Sequence, residues 1–323
     1  MFTVVIPVFN KRNYVLNTLR TVLNQTYSCF EIIIVDDGST DQSLEAITEA
    51  ISDSRIKIIR QSNQGVSAAR NRGVKESSNP YIAFLDADDE WHPSYLEKAH
   101  ECIQQFPNTG MLCFAGLVKN SSGTIGNRTA LKYQEQIVAV NYFENPHVFG
   151  HTSATIVKRE VFNRTSGFPV GMKRNEDFAL FYSIALITPV VYCGFPLSTY
   201  VGGVEGQATS TPSEQVSEYV IQRYNHVFES FLQTDQSNQL YLIFTKYELR
   251  HTFLMFLINQ EPQNLQKFLN QLHPELLKHF SSMEKKLYTK VYLKKISIYF
   301  IYMTKIRWRL RRFPRTGEGQ MDR

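Results

Sequence analysis

Short β-branched runs alternate with helix-spaced apolar residues through the first hundred positions, and this alternation narrows the architecture more than any other feature of the chain. Thr3 to Val8 is an apolar run closed by Asn10, and Val15, Leu19, Val22 and Leu23 follow at helical spacing. Glu31 to Val35 is a second run, ending in Asp36-Asp37-Gly38-Ser39. A second helix carries Leu44, Ile47 and Ile51 on one face, with Ser39 or Thr40 as its cap. Arg55 to Ile59 predicts a third strand and Val66 to Lys75 a third helix. Tyr81 to Leu85 predicts a fourth strand, closed by Asp86-Ala87-Asp88-Asp89, and Pro93 suits the first turn of a helix carrying Leu96, Ala99 and Ile103.

Strands separated by helices of this length favour an α/β fold with right-handed crossovers, in which ligands bind beyond the carboxyl ends of the strands. Both acidic clusters follow apolar strands directly, so such a fold puts them on one edge of the sheet. From Met111 to Val201 the pattern is mixed: strands at Met111 to Val118, Ser153 to Val157, Val190 to Cys193 and Leu197 to Val201, and a helix from Glu176 to Leu186. Gly202 to Ser213 reads as a mobile loop. Glu214 to Arg312 reads as helical, with breaks near Asp235, Glu261 and Pro274. The expected domains are 1–210, an α/β catalytic domain, and 211–323, a helical region with a basic amphipathic tail.

Among the residues able to carry chemistry, Asp86-Ala87-Asp88-Asp89 is the most informative. Carboxylates are hard ligands, and a Mg or Mn ion held by one or two of them can bridge to phosphates and neutralise a diphosphate leaving group. A solvated acidic loop has the same composition, but a strand end beside a second acidic cluster favours the metal. Asp36 and Asp37 offer acceptors for a base or ribose, while Gly38 and Ser39 also suit a plain turn. Pro7-Val8-Phe9-Asn10 places an aromatic ring after the first strand, where it can stack on a nucleobase or simply fill the core. Gly65 to Asn71 brings small residues and Arg70 to a helix start, suited to phosphate or base contact. Glu176 and Asp177 open an otherwise apolar helix. They complement its dipole, or Asp177 is a general base toward an acceptor hydroxyl.

Taken together these blocks resemble the inverting family-2 glycosyltransferases of GT-A fold. The matching segments are Val4 to Asn10, Gln25-Thr26, Glu31 to Asp41 (EIIIVDDGSTD), Asn63 to Arg72 (NQGVSAARNR), Tyr81 to Asp89 (YIAFLDADD) and Glu176-Asp177, within roughly the first 200 residues. The resemblance implies a Rossmann-like mixed sheet flanked by helices, a nucleotide-diphosphate sugar donor, commonly UDP-linked, and Mg2+ or Mn2+. It implies that Phe9, within Pro7 to Asn10, stacks on the base and that Asp37 bonds the base. Gly65 and Arg70 would line the nucleotide pocket, and Asp86, Ala87 and Asp88 would face ribose, phosphate and metal. The nearest metal contact falls to Asp88 or Asp89. Asp177, with Glu176 beside it, is by the same resemblance the base of a single displacement with inversion, and Gly150 to Ser153 lies toward the acceptor.

Absences trim the alternatives. No GxGxxG follows the first strand, and no GxxxxGK[ST], Cys/His cluster or GxSxG is present, which argues against a dinucleotide dehydrogenase, a P-loop enzyme, structural zinc and a serine hydrolase. A sugar-phosphate nucleotidyltransferase would carry a glycine-rich loop after the first strand, and Pro7 to Lys11 has no glycine. A catalytically silent nucleotide-sugar-binding protein is the other rival.

The net charge of +5 is too mild to argue for nucleic acid. Its excess lies at the C-terminus, in Lys290, Lys294, Lys295, Lys305, Arg307, Arg309, Arg311 and Arg312, interleaved with Ile296, Tyr299, Phe300 and Trp308. Segment 290–312 therefore suits the headgroup plane of an anionic membrane, bringing the site to a glycan or polyprenyl-linked acceptor in polysaccharide or cell-envelope synthesis. Phe2 to Pro7 starts directly after Met1, no apolar run reaches the roughly 20 residues of a membrane span, and three of four cysteines sit in apolar patterns. The expectation is a cytoplasmic protein, peripheral on the cytoplasmic face of the membrane.

Overall fold

The computed structural model describes residues 1–123, 125–144, 149, 151–205, 213–258, 262–289 and, further on, 295, 296, 298, 299, 302, 303 and 306. The chain divides into two compact units. The first comprises Met1–Asn141 with Val148–Ser210, and the second Tyr142–His147 with Thr211–Arg323.

In the first unit, β1 (Phe2–Val8), α1 (Val15–Leu23), β2 (Phe30–Asp36), α2 (Ser43–Ala50), β3 (Ile56–Arg60), α3 (Val66–Glu76) and β4 (Tyr81–Phe84) form a parallel half-sheet with helical crossovers. β5 (Glu90–Trp91), α4 (Tyr95–Gln105), β6 (Met111–Lys119), β7 (Ile125–Asn127), β8 (Ile137–Val140), β9 (Thr155–Lys158), α5 (Arg159–Phe162), α6 (Glu176–Ala185) and β10 (Val190–Val201) complete the unit. The strand order is β3-β2-β1-β4-β9-β6-β10-β5, with β7 beside β6 and β8 beside β10. β9 runs antiparallel to both β4 and β6, so the sheet is mixed, as expected.

All seven residues of β1 are buried, because helices cover the strand from both sides. Val4, Ile6 and Val8 share one core with Leu19 and Val22 of α1 and Leu96 and Ala99 of α4. On the opposite face, Ile33 and Val35 of β2 pack with Ala69 of α3. Each fully buried aliphatic side chain contributes about 1.5–3 kcal/mol.

Register sets the rim. Val8 lies opposite Asp36, and Asp36 opposite Arg60, so β1, β2 and β3 end together. Phe84 lies opposite Val5, and β4 gives way within two residues to Asp86. Because β9 runs against β4, its leading residues Ser153 and Ala154 arrive at that same rim. Antiparallel pairing thus delivers a distant segment to the acidic clusters.

Several boundaries differ from the sequence reading. α2 begins at Ser43 rather than after Ser39 or Thr40, with Gln42 left-handed at φ 65°. Asp36 Oδ1 takes the Ser39 amide and Asp41 Oδ1 takes the Ser43 amide, so the intervening residues form turns instead of a first helical turn. The two short strands read at 190–193 and 197–201 are one strand, β10, whose pairing with β6 shifts register between Cys193 and Ser198. Pro93 precedes α4 by two residues, with Ser94 at the cap position. Cys102, Cys113 and Cys193 are buried and free, as their apolar settings suggest, and Cys29 is exposed.

The second unit is helical: α7 (Ser213–Leu232), α8 (Gln239–Ile258), α9 (Pro262–Gln271), α10 (Pro274–Leu277) and α11 (Ser282–Thr289). Phe253 anchors its core, edge-on to Phe268 at 5.0 Å and Phe280 at 4.7 Å. Arg250 crosses from α8 to α11, meeting Glu284 Oε1 at 2.9 Å and the His279 carbonyl at 2.9 Å. Among the described residues no helix is long and apolar enough to cross a membrane. Residues 206–212 of the loop expected to be mobile, and most of 290–312, lie outside the described residues.

Candidate active site

The C-terminal ends of β1, β2 and β4 present Phe9, Asp37 and Asp86. Phe9 is 44% exposed, which is unusual for phenylalanine and leaves its ring available to a planar ligand. Pro7 and Val8 are buried strand residues, whereas Asn10 turns the chain at φ 52°. The Asn10 side chain accepts the Thr40 amide at 2.8 Å, tying the β1 loop to the β2 loop.

Asp37 is buried and holds the loop between β3 and α3. Its Oδ1 accepts Gln61 Nε2 at 2.8 Å and the Gln64 amide at 3.0 Å, and its Oδ2 accepts the Gly65 amide at 2.8 Å. Gly65 takes φ 89°, a conformation suited to glycine, and α3 starts at the next residue. Asp37 therefore sets the position of the helix that carries Arg70.

Arg70 joins the two acidic regions of the site. Its guanidinium is 3% exposed, donates from Nη2 to Asp86 Oδ1 at 2.6 Å and from Nη1 to Glu176 Oε1 at 2.9 Å, and lies 5.1 Å from the Phe168 ring centroid. Burial alone would lower its pKa, but the charges of Asp86 and Glu176 outweigh it and raise it. The aspartate tetrad after β4 and the first turn of α6, which are 90 residues apart in sequence, thus meet on one side chain.

Within the tetrad the four residues behave differently. Ala87 is buried, and its carbonyl and that of Asp89 both accept from Thr18 Oγ1 of α1. Asp89 is buried with both oxygens engaged, Oδ2 by Ser153 Oγ at 2.5 Å and Oδ1 by the Val201 amide at 3.0 Å. Burial, then the charges of Asp86 and Asp88, push its pKa well above the ordinary value. Asp88 meets Lys11 Nζ at 2.8 Å, and burial followed by Asp86 raises its pKa despite that cation. Asp86 has a third of its side chain exposed and accepts the Arg70 bond.

Asp177 follows Glu176 at the start of α6, after Asn175 at φ 66°. Burial, then the charge of Glu176, pushes its carboxyl up to about 7, where a carboxylate can accept a proton near neutrality. Glu176 is held by Arg70, which leaves Asp177 as the carboxylate of this pair that the guanidinium does not bind directly.

Three participants carry no sequence-local signal as the partners of these aspartates. Lys11 lies one residue past the first block, Thr18 on α1, and Ser153 is 64 residues from Asp89. His151 also stands near the tetrad. Its pKa falls to about 4 through burial and then the charge of Arg128, which places a neutral ring there.

A mixed GT-A-type sheet with acidic loops gathered at one rim defines a class of nucleotide-diphospho-sugar transferase folds. The profile of Glycosyl transferase family 2 matches residues 3–165. An uncharacterized glycosyltransferase of Nostoc sp. is 31% identical over 266 residues, 77% of this chain and 83% of that protein. The chain therefore belongs to glycosyl transferase family 2. Other relatives are longer. Glycosyltransferase GlyA of Streptococcus pneumoniae is 42% identical over 105 residues, 32% of this chain but 15% of that protein. An uncharacterized glycosyltransferase of Rickettsia bellii is 44% identical over 95 residues, 29% of this chain and 14% of its own length. In fold, the chain is similar to residues 1–349 of S. aureus TarS crystallised with UDP-GlcNAc, with a TM-score of 0.68, 17% identity and coverage of 96% of this chain and 91% of that one.

Proposed function

We propose that residues 1–210 transfer a sugar from a nucleotide-diphosphate donor, UDP-linked, to a hydroxyl of a glycan or polyprenyl-linked acceptor, with inversion at the anomeric carbon. The observation that carries this reading is the Arg70 bridge. One buried guanidinium ties Asp86, at the expected diphosphate side, to Glu176, whose neighbour Asp177 has a carboxyl lifted to about 7. Leaving-group stabilisation and acceptor deprotonation are the two demands of a single displacement, and both have a side chain within one connected cluster.

The residues fit a divalent cation. Asp86 and Asp88 supply hard oxygen donors, and the carboxyls of Asp88 and Asp89 are held above their ordinary values by burial and crowding, a strain that added positive charge relieves. Among the described residues no cluster of three or more His, Cys, Asp or Glu could hold an ion on its own, so phosphate oxygens would have to complete the shell of Mg2+ or Mn2+. Asp86 and Asp88 would hold the ion; Asp89, expected as an alternative ligand, has its oxygens occupied by Ser153 and Val201. When bound, such an ion supplies charge neutralisation at the leaving diphosphate.

The chain's own residues do the rest. Phe9 offers a stacking face, Asp37 and Gly65 fix the loop before α3 on the nucleotide side, and Arg70 keeps Asp86 and Glu176 in place. Asp177 accepts the acceptor hydroxyl proton. The TarS complex with UDP-GlcNAc supports a UDP-sugar as the first donor to try. We place the protein on the cytoplasmic face of a membrane, in contact through 290–312. The test is UDP release from a panel of UDP-sugars, with and without Mn2+, alongside Asp177→Asn. Mn-dependent UDP release that Asp177→Asn abolishes supports the reading, and an unimpaired Asp177→Asn protein overturns the base assignment.

A further inference from the structure

Lys11 occupies the position where the proposed function would have a divalent cation act. Its backbone is fixed: the amide donates to Ser43 Oγ at 2.9 Å, and the carbonyl accepts from Tyr14 and Val15 as α1 begins. From that anchor the side chain runs 77 residues away in sequence to Asp88 Oδ2 at 2.8 Å. Its Nζ also donates to the Glu205 carbonyl at 2.9 Å, at the edge of the segment after β10. The Lys11 side chain is 12% exposed and that of Asp88 is 9% exposed, so the pair is shielded from solvent and salt. An ammonium and a divalent ion both seek the carboxylate of Asp88, and the same oxygen cannot give full contact to both.

We propose that Lys11 is a built-in competitor for the divalent cation at Asp88, so that metal binding must release Nζ from both Asp88 and the Glu205 carbonyl. The ammonium gives Asp88 a counter-charge while the donor is absent. The inference rests on Asp88 being a metal ligand, as the proposed function has it, and the experiment separates the two.

Mn2+ is titrated into the full chain at pH 8 without nucleotide, with free ion read by electron paramagnetic resonance. The proteins are wild type, Lys11→Met, Lys11→Arg, Arg12→Met and Asp88→Asn, each checked for folding by circular dichroism. Lys11→Met is expected to bind Mn2+ roughly tenfold tighter, the scale of a partly buried ion pair. Lys11→Arg, which keeps the cation, should stay at or below the wild-type affinity. Arg12→Met removes the same formal charge from an exposed neighbour, whose guanidinium contacts Gln42 and whose backbone amide contacts Asp41, and should leave affinity unchanged. If Lys11→Met binds no tighter than wild type, including no measurable binding by either, or if Arg12→Met tightens binding equally, the competition is overturned. Asp88→Asn reports on the underlying reading. Wild-type Mn2+ affinity in that variant would remove Asp88 as a ligand, whereas weakened binding with an unaltered Lys11→Met would leave the ligand standing and remove the role of Lys11 alone.

Discussion

Asp177 and Arg70 show how far single residues determine what this site can do. A carboxyl lifted from 3.8 to about 7 is a better base than an ordinary aspartate, but it destabilises the fold when ionised. Because the folded value lies above the unfolded one, Asp177 contributes stability below about pH 4, and that contribution is lost as pH rises toward 7. Two outcomes are expected. Transfer by the wild type should fall about tenfold per unit below pH 7 and level off above it. Asp177→Asn should lose transfer yet melt higher than wild type at pH 8, by on the order of 1–3 kcal/mol, with the gain vanishing near pH 4. A lower melting temperature for the variant at pH 8 would contradict the raised carboxyl. Arg70→Met should cost about 3–5 kcal/mol, because it strands Asp86 and Glu176 beside each other without their shared cation. Arg70→Lys should recover little, since one ammonium cannot reproduce the two-pronged contact; urea unfolding of the three proteins measures both. The aspartates themselves stand out in the sequence because they cluster locally after apolar runs. The bridge that Arg70 makes between Asp86 and Glu176 does not, because it depends on α3 and α6 meeting across 106 residues.

Elements decide where those residues go, and here close packing of α3 matters most. Gly73 lies against β1 so tightly that a Cβ would stand 2.3 Å from Val5 Cγ1. Val5 is β-branched and buried in a seven-residue strand, so it has little freedom to give way. Gly73→Ala should therefore push α3 off the sheet, costing about 1–3 kcal/mol from overpacking. Arg70 lies one helical turn earlier on α3, so donor affinity should fall with stability, and UDP titration of a still-folded Gly73→Ala protein checks this. Unaltered UDP affinity would mean that the helix absorbs the strain without moving Arg70. The parallel half of the sheet was legible because each strand and helix there has its own period, two against 3.6. Later elements were harder to delimit. β10 reads as two strands because Gly194 to Pro196 interrupts its β-branched pattern, yet pairing resumes with β6 after the register shift. α2 starts late because aspartate side chains hold the preceding amides in turns, which compete locally with a helix for the same donors.

At the scale of the whole chain, the excess of positive charge lies toward the C-terminus, and several described residues there expose large apolar side chains. Eight lysines and arginines lie in 290–312 with no acidic residue among them, and without these eight the +5 total would become −3. At described positions of this stretch, Ile296, Tyr299, Tyr302, Met303 and Ile306 are 45–67% exposed, so apolar and basic side chains share one short segment. A surface carrying both gains from anionic lipid in two ways, through burial of apolar area and through attraction worth about 1 kcal/mol per basic residue near the headgroups. The full chain should float with vesicles of phosphatidylglycerol and phosphatidylcholine at 0.05 M salt and less so at 0.5 M, because screening shortens the reach of each charge. Neutralising Lys294, Lys295, Arg307 and Arg309 to glutamine should abolish most of that binding while leaving UDP affinity intact, since none of the four is among the candidate site residues. Exchanging Ile296 and Tyr299 for serine should weaken binding at both salt concentrations, which separates the apolar contribution from the electrostatic one. Flotation of the glutamine variant equal to wild type at low salt would rule out this segment as the membrane contact, and with it the route proposed for a polyprenyl-linked acceptor.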